Sequence, residues 1–396
     1  MYKSVLSKMK LELFICIALA FIRINIISGQ SNQCPKADSL MINQQYLMAL
    51  ENYGLCYERD TTDKRNLASM ANCLYLLGDY QKAKEYYHVL ENLEGFSSDA
   101  IIRLASIYET QQNLPKAVKY NLKLTGLYPS NPVYLRKLGS LYLQGNEKTQ
   151  AMQSYQAALE LNSRDLLTIQ GLAEMLIGMD EINAADSLLK LGLETDSTHI
   201  GLSLLLSRVK YKLRDYEAVT EILHKLTYQT ELNNYYNKLL GYAFLQVDSL
   251  DKSIYHLQKS LLNEGDPEYA LFYMALAYEK KKEFEKSMYF YNEAIKAGIS
   301  ENLDQYYRGL ARINTQNGDF KAAIDNYNSC LQYSWDPLIY YYMGNAAEQY
   351  YKDKSKAIKY YEQYLNAKPT DKLQAEIAIQ RVKVLKELRF MKGKSK

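Results

Sequence analysis

Residues 67–87 read LASMANCLYLLGDYQKAKEYY, two apolar stretches on either side of Gly78-Asp79. In each half the large apolar side chains return every three or four residues, the spacing of an amphipathic helix, and the Gly-Asp pair breaks the pattern as a turn does. Ala83, in the second half, opens a recurrence. A small residue returns at Ala49, Ala83, Ala117, Ala151, Ala185, Val219, Ser253, Ser287, Ala323 and Ala357, 34 residues apart throughout except for 36 between Ser287 and Ala323. Thirteen residues ahead of these anchors stand Met70, Leu104, Leu138, Leu172, Leu206, Leu240, Met274 and Leu310, each followed by Ala, Gly or Ser. Four residues after the anchor comes a large side chain in most units, from Tyr53 and Tyr87 to Tyr327 and Tyr361. A fixed period of this length predicts stacked helix pairs, each burying its apolar face only against its neighbours.

The pattern resembles the tetratricopeptide repeat family, whose 34-residue unit runs W-x2-L-G-x2-Y…A-x3-F…P. The resemblance covers residues 37 to about 370, with Leu67, Ile101, Leu135, Ile169 and Leu271 standing where the family has tryptophan. It implies an all-α fold, a right-handed α-solenoid superhelix of about ten helix-turn-helix units over 35–370. Asp371 is placed to N-cap a final helix over 371–390, with Leu373, Ile377, Val384, Leu385 and Leu388 available to cover the last repeat and 391–396 left as a basic, disordered tail. The short first helix is expected to start near Pro35 and turn at 43–45, and the last unit to carry an extra residue near 344–350.

Composition agrees with a helical array. Glycine is 18 and proline 7 in 396 residues, too few turn-formers for a large β-sandwich or β-barrel. Apolar residues make up 47% and charged residues 23%, which excludes a disordered polymer. The formal charge of +3 is unevenly divided: residues 1–30 carry four basic groups against one acid, and 383–396 six against one. What lies between leans acidic, so no general nucleic-acid-binding surface is expected.

Lys3, Lys8 and Lys10 precede an apolar run from Leu13 to Ile22, and Ser28-Gly29-Gln30-Ser31 follows. That is the layout of a secretory signal peptide over 1–30. Cleaved, it leaves a periplasmic or secreted cell-envelope protein. Uncleaved, with Ile24–Ile27 extending the run beyond Arg23, it anchors the chain in the inner membrane.

Motifs for chemistry are absent. The four histidines, His88, His199, His224 and His256, are scattered over different units, and no H-E-x-x-H, zinc-spaced Cys/His pair, G-x-S-x-G elbow or Gly-rich phosphate turn occurs. No enzyme activity, cofactor or metal is expected. Cys56 and Cys330 fall where Ala158 and Ala294 sit in other units, the place of a small buried residue. Cys34, Cys56 and Cys73 cluster at the N-terminal end, where an oxidising compartment would allow two of them to pair.

The family resemblance implies that the first helix of each unit lines a concave groove where protein or peptide partners lie. Carried over by register, the groove candidates are Tyr235, Lys238, Tyr242, Tyr269, Phe272, Arg308, Arg312 and Tyr341, a mixture of aromatic and basic residues enriched at binding hot spots. They suit an extended peptide bearing an acidic group or a C-terminal carboxylate. The expected function is a non-catalytic protein-binding scaffold in the cell envelope. The alternatives are an accessory subunit of a multi-protein envelope complex and a membrane-anchored sensor with a periplasmic repeat domain.

Overall fold

The computed structural model describes residues 34–262, 267–298 and 302–394. The segment read as a signal peptide or anchor, 1–30, lies outside them. The described residues form 21 helices and no strand. They are α1 (Pro35–Ile42), α2 (Tyr46–Arg59), α3 (Lys64–Leu76), α4 (Tyr80–Leu90), α5 (Ser97–Thr110), α6 (Leu114–Leu127), α7 (Pro132–Gln144), α8 (Lys148–Leu161), α9 (Leu166–Gly178) and α10 (Ile182–Thr195). There follow α11 (Ile200–Lys212), α12 (Tyr216–Leu226), α13 (Asn234–Gln246), α14 (Leu250–Ser260), α15 (Glu268–Lys280), α16 (Phe284–Ala297), α17 (Leu303–Gln316), α18 (Phe320–Cys330), α19 (Leu338–Tyr350), α20 (Ser355–Asn366) and α21 (Lys372–Lys394). Odd-numbered helices up to α19 are the first of a pair and even-numbered ones the second. The chain divides into two compact units, one ending at Gly171 and the other beginning at Leu172.

All ten anchors sit on second helices, from Ala49 on α2 to Ala357 on α20, and every one is 0% exposed. The large residue four positions later is buried beside them, as at Tyr87, Tyr155, Leu223 and Tyr291. What it buries against is a small residue on a first helix. In the N-terminal unit a Cβ added to Gly139 of α7 would lie 2.8 Å from the Tyr155 ring, and one on Gly171 of α9 would lie 2.9 Å from the same ring. In the C-terminal unit Gly241 meets Leu257, Gly344 meets Tyr361, and a Cβ on Gly309 would fall 2.2 Å from Tyr291 Cζ. The Tyr291 hydroxyl is tied to Glu279 Oε2 at 2.8 Å, so the ring has no freedom to retreat.

The turn inside each pair is equally stereotyped. In nine of the ten pairs the residue five places ahead of the anchor has a left-handed backbone: Gln44, Gly78, Gln112, Asn146, Asp180, Arg214, Asp248, Lys282 and Gly318, with φ between 53 and 80°. The next N–H then closes back on the carbonyl five residues earlier, as in Asp79 N to Leu74 O (2.9 Å) and Glu283 N to Tyr278 O (2.9 Å). This is a Schellman closure, which satisfies carbonyls the helix end leaves unpaired. Gly78 and Gly318 supply the residue best suited to that backbone, and Asn146, Asp180 and Asp248 the next best. In the tenth pair the extra residue falls in the turn at 351–354, not within 344–350. There Lys354 Nζ donates to Glu348 O (2.5 Å) and Tyr351 O (2.8 Å) and replaces the left-handed residue.

The terminal helix differs from expectation in two ways. It continues to Lys394, so 391–394 are helical and do not start a disordered tail. Its inward face is also rotated. Asp371 Oδ1 accepts from Gln374 N as an N-cap (3.1 Å), but the residues buried against the preceding pair are Ala378 and Leu385. Leu373 (68% exposed), Ile377, Val384 and Leu388 point away from it. Arg381 reaches Glu348 and Lys386 reaches Glu362 (2.7 Å), ion pairs that link the helix to the preceding pair. Small Ala378 permits the close approach that a leucine would prevent.

Of the cysteines at the N-terminal end, Cys34 and Cys56 form a disulfide, with Cα atoms 6.3 Å apart and a sequence separation of 22. It ties short α1 to α2. Cys73 and Cys330 are free and fully buried. Burial pushes the Cys73 thiol up to about 11.

These observations make two predictions. Gly309→Ala should lower the stability of the C-terminal unit by about 1–3 kcal/mol through overpacking against Tyr291. Lys282→Gly should raise it by up to about 1 kcal/mol by relieving a left-handed non-glycine residue. Urea midpoints followed by far-ultraviolet circular dichroism would check both, and equal midpoints for the two variants would contradict the packing account. Secondly, a chain starting at residue 31 should show two free thiols when denatured without reductant and four after reduction. In the native state neither free thiol should react readily near pH 8, because each is buried and Cys73 is almost wholly protonated there.

Candidate functional site

First helices that follow one another in the array bring equivalent register positions side by side. In the C-terminal unit three such rows cross α13, α15 and α17: Tyr235, Tyr269 and Gln305; Lys238, Phe272 and Arg308; Tyr242, Leu276 and Arg312. Together they line a continuous cleft. Its largest section, about 740 Å³, is bounded by Tyr242, Tyr269, Phe272, Tyr273, Arg308 and Arg312 among others. A smaller section of about 210 Å³ extends it to Tyr211, Tyr235 and Lys238. Seven of the eight groove candidates therefore lie together. Tyr341 does not join them: its ring packs across its own pair on Tyr361 (6.0 Å between centroids) and Tyr364 (5.4 Å).

The aromatic floor is a connected set. Tyr242 and Tyr273 rings are 4.4 Å apart, Tyr211 lies 5.6 Å from Tyr242, and Phe272 lies 5.7 Å from Tyr273 and 4.7 Å from Tyr306. Burial, followed by the neighbouring tyrosines, pushes the Tyr242 phenol up to about 12 and the Tyr273 phenol further in the same direction. These hydroxyls remain neutral donors at any physiological pH. Asn302 Nδ2 donates to the Tyr269 hydroxyl (2.9 Å), fixing that ring at the cleft wall.

The arginines are already engaged, which corrects the expectation that they wait for an acidic group. Arg312 donates from Nε and Nη2 to the two oxygens of Glu279 (2.5 and 2.7 Å), a bidentate pair. That hydrogen bonding outweighs burial and raises the guanidinium further above its ordinary value. Arg308 donates from Nη1 to Asp336 Oδ2 (2.8 Å) and has Asp304 at 3.8 Å. The acidic partners recur at similar, though not always equal, separations. Arg136, in the row equivalent to Arg308, pairs in the N-terminal unit with Asp165 (2.7 Å), 29 residues on, and Asp336 is 28 residues beyond Arg308. Likewise Glu348 and Arg381 repeat the 33-residue separation of Glu279 and Arg312. Tyr273 and Tyr211, central to the aromatic set, were missed because nothing in the repeat marks their positions as exposed.

Two sequence models described as tetratricopeptide repeat match the chain, one over residues 136–165 and the other over 69–93 and 269–297. Each match falls on helix pairs already described. The chain carries tetratricopeptide repeats at those positions. Among curated relatives, tetratricopeptide repeat protein 21A of Homo sapiens is 28% identical over 153 residues, 35% of this chain and 11% of that protein. The CTR9 homolog of Arabidopsis thaliana is 27% identical over 130 residues, 32% of this chain and 12% of that protein. This tetratricopeptide array thus matches only about an eighth or less of the length of either. Solved structures similar to it include YrrB, described as a TPR protein with an unusual peptide-binding site (17% identity, TM-score 0.44, 46% of this chain and 94% of that one). A tetratricopeptide repeat protein from Parabacteroides merdae is also similar (15% identity, TM-score 0.44, 61% and 96%).

Tetratricopeptide repeats serve as protein-interaction scaffolds, and the fold is typically non-catalytic. Among the described residues no cluster of three or more His, Cys, Asp or Glu is arranged to hold a metal ion, and no helix is long and apolar enough to cross a membrane.

Proposed function

We propose that the protein is a non-catalytic scaffold of the cell envelope that holds an extended segment of a protein partner in the cleft across α11, α13, α15 and α17. The observation that carries this reading is the cleft itself: an open, aromatic-floored surface of about 740 Å³ whose charged groups are largely neutralised in pairs. Rings on first helices offer large contact area at low entropic cost, and satisfied ion pairs at the floor can be covered without stranding a charge. The envelope assignment rests on the basic and apolar N-terminal segment, and the Cys34–Cys56 disulfide supports it, since such bonds persist in oxidising compartments.

A second reading, an accessory subunit held by its surface or end, is favoured by one observation. The outer stripe of α21, Leu373, Ile377, Val384 and Leu388, exposes more apolar surface than a solvent cap requires. Site-specific photo-cross-linking in cells separates the two. A benzophenone side chain at Phe272 should capture a defined partner, whereas one at Tyr289, exposed on second helix α16, should not. Capture from Leu388 but not from Phe272 would replace the cleft reading with the subunit reading. Intact-mass measurement of the purified envelope fraction is expected to show loss of the N-terminal segment; a full-length mass would place the chain among anchored proteins.

A further inference from the structure

The cleft is electrically polar along its length. At the α13 end stands Lys238, whose ammonium lies 5.9 Å from the centre of the Tyr269 ring and has no carboxylate at ion-pair distance among the described residues. In the middle, Phe272 and Leu276 contribute no charge, and the Arg312–Glu279 pair cancels. At the α17 end the balance reverses. The single guanidinium of Arg308 is shared by two carboxylates, Asp336 at 2.8 Å and Asp304 at 3.8 Å, which leaves an excess negative charge. The three positions in the second row thus read cation, aromatic ring, net anion. A uniformly acidic ligand would meet attraction at one end and repulsion at the other.

Resting on the cleft reading above, we propose that the occupant is an extended polypeptide segment of opposite polarity. It carries an acidic group over Lys238, a basic group over Asp304 and Asp336, and proline or aromatic rings between them on Tyr242, Tyr269, Phe272 and Tyr273. Packed helices lie about 8–10 Å apart. The distance from α13 across α15 to α17 is therefore near 20 Å, which an extended chain at about 3.3 Å per residue covers in about six residues. Rings suit the middle because neighbouring aromatic faces on the wall favour stacking, and proline-rich chain is already extended before it binds. The charged ends give register and direction more than affinity, and their effect falls with added salt.

The test is fluorescence anisotropy with the full mature chain and short fluorescein-labelled peptides sharing a Pro-Tyr-Pro-Tyr centre. Four have end charges that are acidic-then-basic, basic-then-acidic, all acidic or all basic. One of the two mixed peptides should bind about tenfold more tightly than either uniform peptide at low salt, the equivalent of one well-formed charge pair. Lys238→Glu should transfer the preference to the all-basic peptide. Asp304→Asn, which keeps the side-chain shape, should reduce discrimination against the all-acidic peptide without that reversal. Binding that ignores end charge, or is tightest for the all-acidic peptide, would overturn the polarity while leaving the cleft as a peptide site. If no peptide binds although Phe272 cross-links a partner, the peptide chemistry proposed is wrong and the cleft reading stands. If neither occurs, both fall.

Discussion

Every helix pair depends on one contact: a side chain on the second helix for which there is no room to grow. The ten anchors are all completely buried. The large residue one turn later closes the gap to a first helix on which the backbone itself, or nearly so, forms the contact surface. Where that first-helix residue is glycine the tolerance is measurable, and a single added carbon would overlap the Tyr155 or Tyr291 ring. Close packing of this kind fixes the crossing geometry, because interiors at crystal-like density do not deform continuously. Once the crossing is fixed, so is the turn. A short linker can return the chain only through a left-handed residue and a Schellman closure, and nine of the pairs adopt it even where Gln, Arg, Asp or Lys must take the strained backbone.

The same constraint places six of the 38 tyrosines. At the position following the anchor by four, a tyrosine fills the inter-helix space with its ring, and at Tyr291 and Tyr361 its hydroxyl also reaches a polar group at the edge, Glu279 and Asn345 (2.5 Å). Leucine fills the space without that second attachment. On first helices the tyrosines act differently. Those at Tyr211, Tyr242, Tyr269 and Tyr273 pack on one another along the cleft and leave faces to solvent. The composition that reads as packing material is therefore divided by register between the helix interfaces and the floor of the cleft.

Much of this was readable from spacing: the anchors, their large partners and the short first helix, while the rows of first-helix residues that line the cleft came from the family resemblance carried over by register. Three features were not, for different physical reasons. The face of α21 was misassigned because hydrophobicity ranks Leu373 and Ile377 above Ala378, whereas close approach favours the smaller side chain. The charge state of the cleft was misjudged because an arginine's partner lies far away in sequence, 28 residues from Arg308 and 33 from Arg312, where the helical period does not mark it. The cysteines offered three pairings with nothing in the spacing to choose between them. Folding decides by bringing α1 alongside α2 and leaving Cys73 beneath both in an apolar site.

Neutralising its arginines internally changes what the cleft can select. An unpaired guanidinium would attract any acidic sequence and lose that attraction in salt. Held bidentate by Glu279, the Arg312 guanidinium becomes half of a net-neutral ion pair in the wall. Discrimination then falls to the few charges left unbalanced and to the shape of the ring-lined floor. Because those residual charges have opposite signs at α13 and α17, they oppose each other at a distance and act together only on a ligand already aligned with the cleft. Such a surface gains little in long-range steering. If the proposed occupant is right, it would reject a reversed or uniformly charged segment at the point of docking, where the wrong end meets its own charge in a partly desolvated setting.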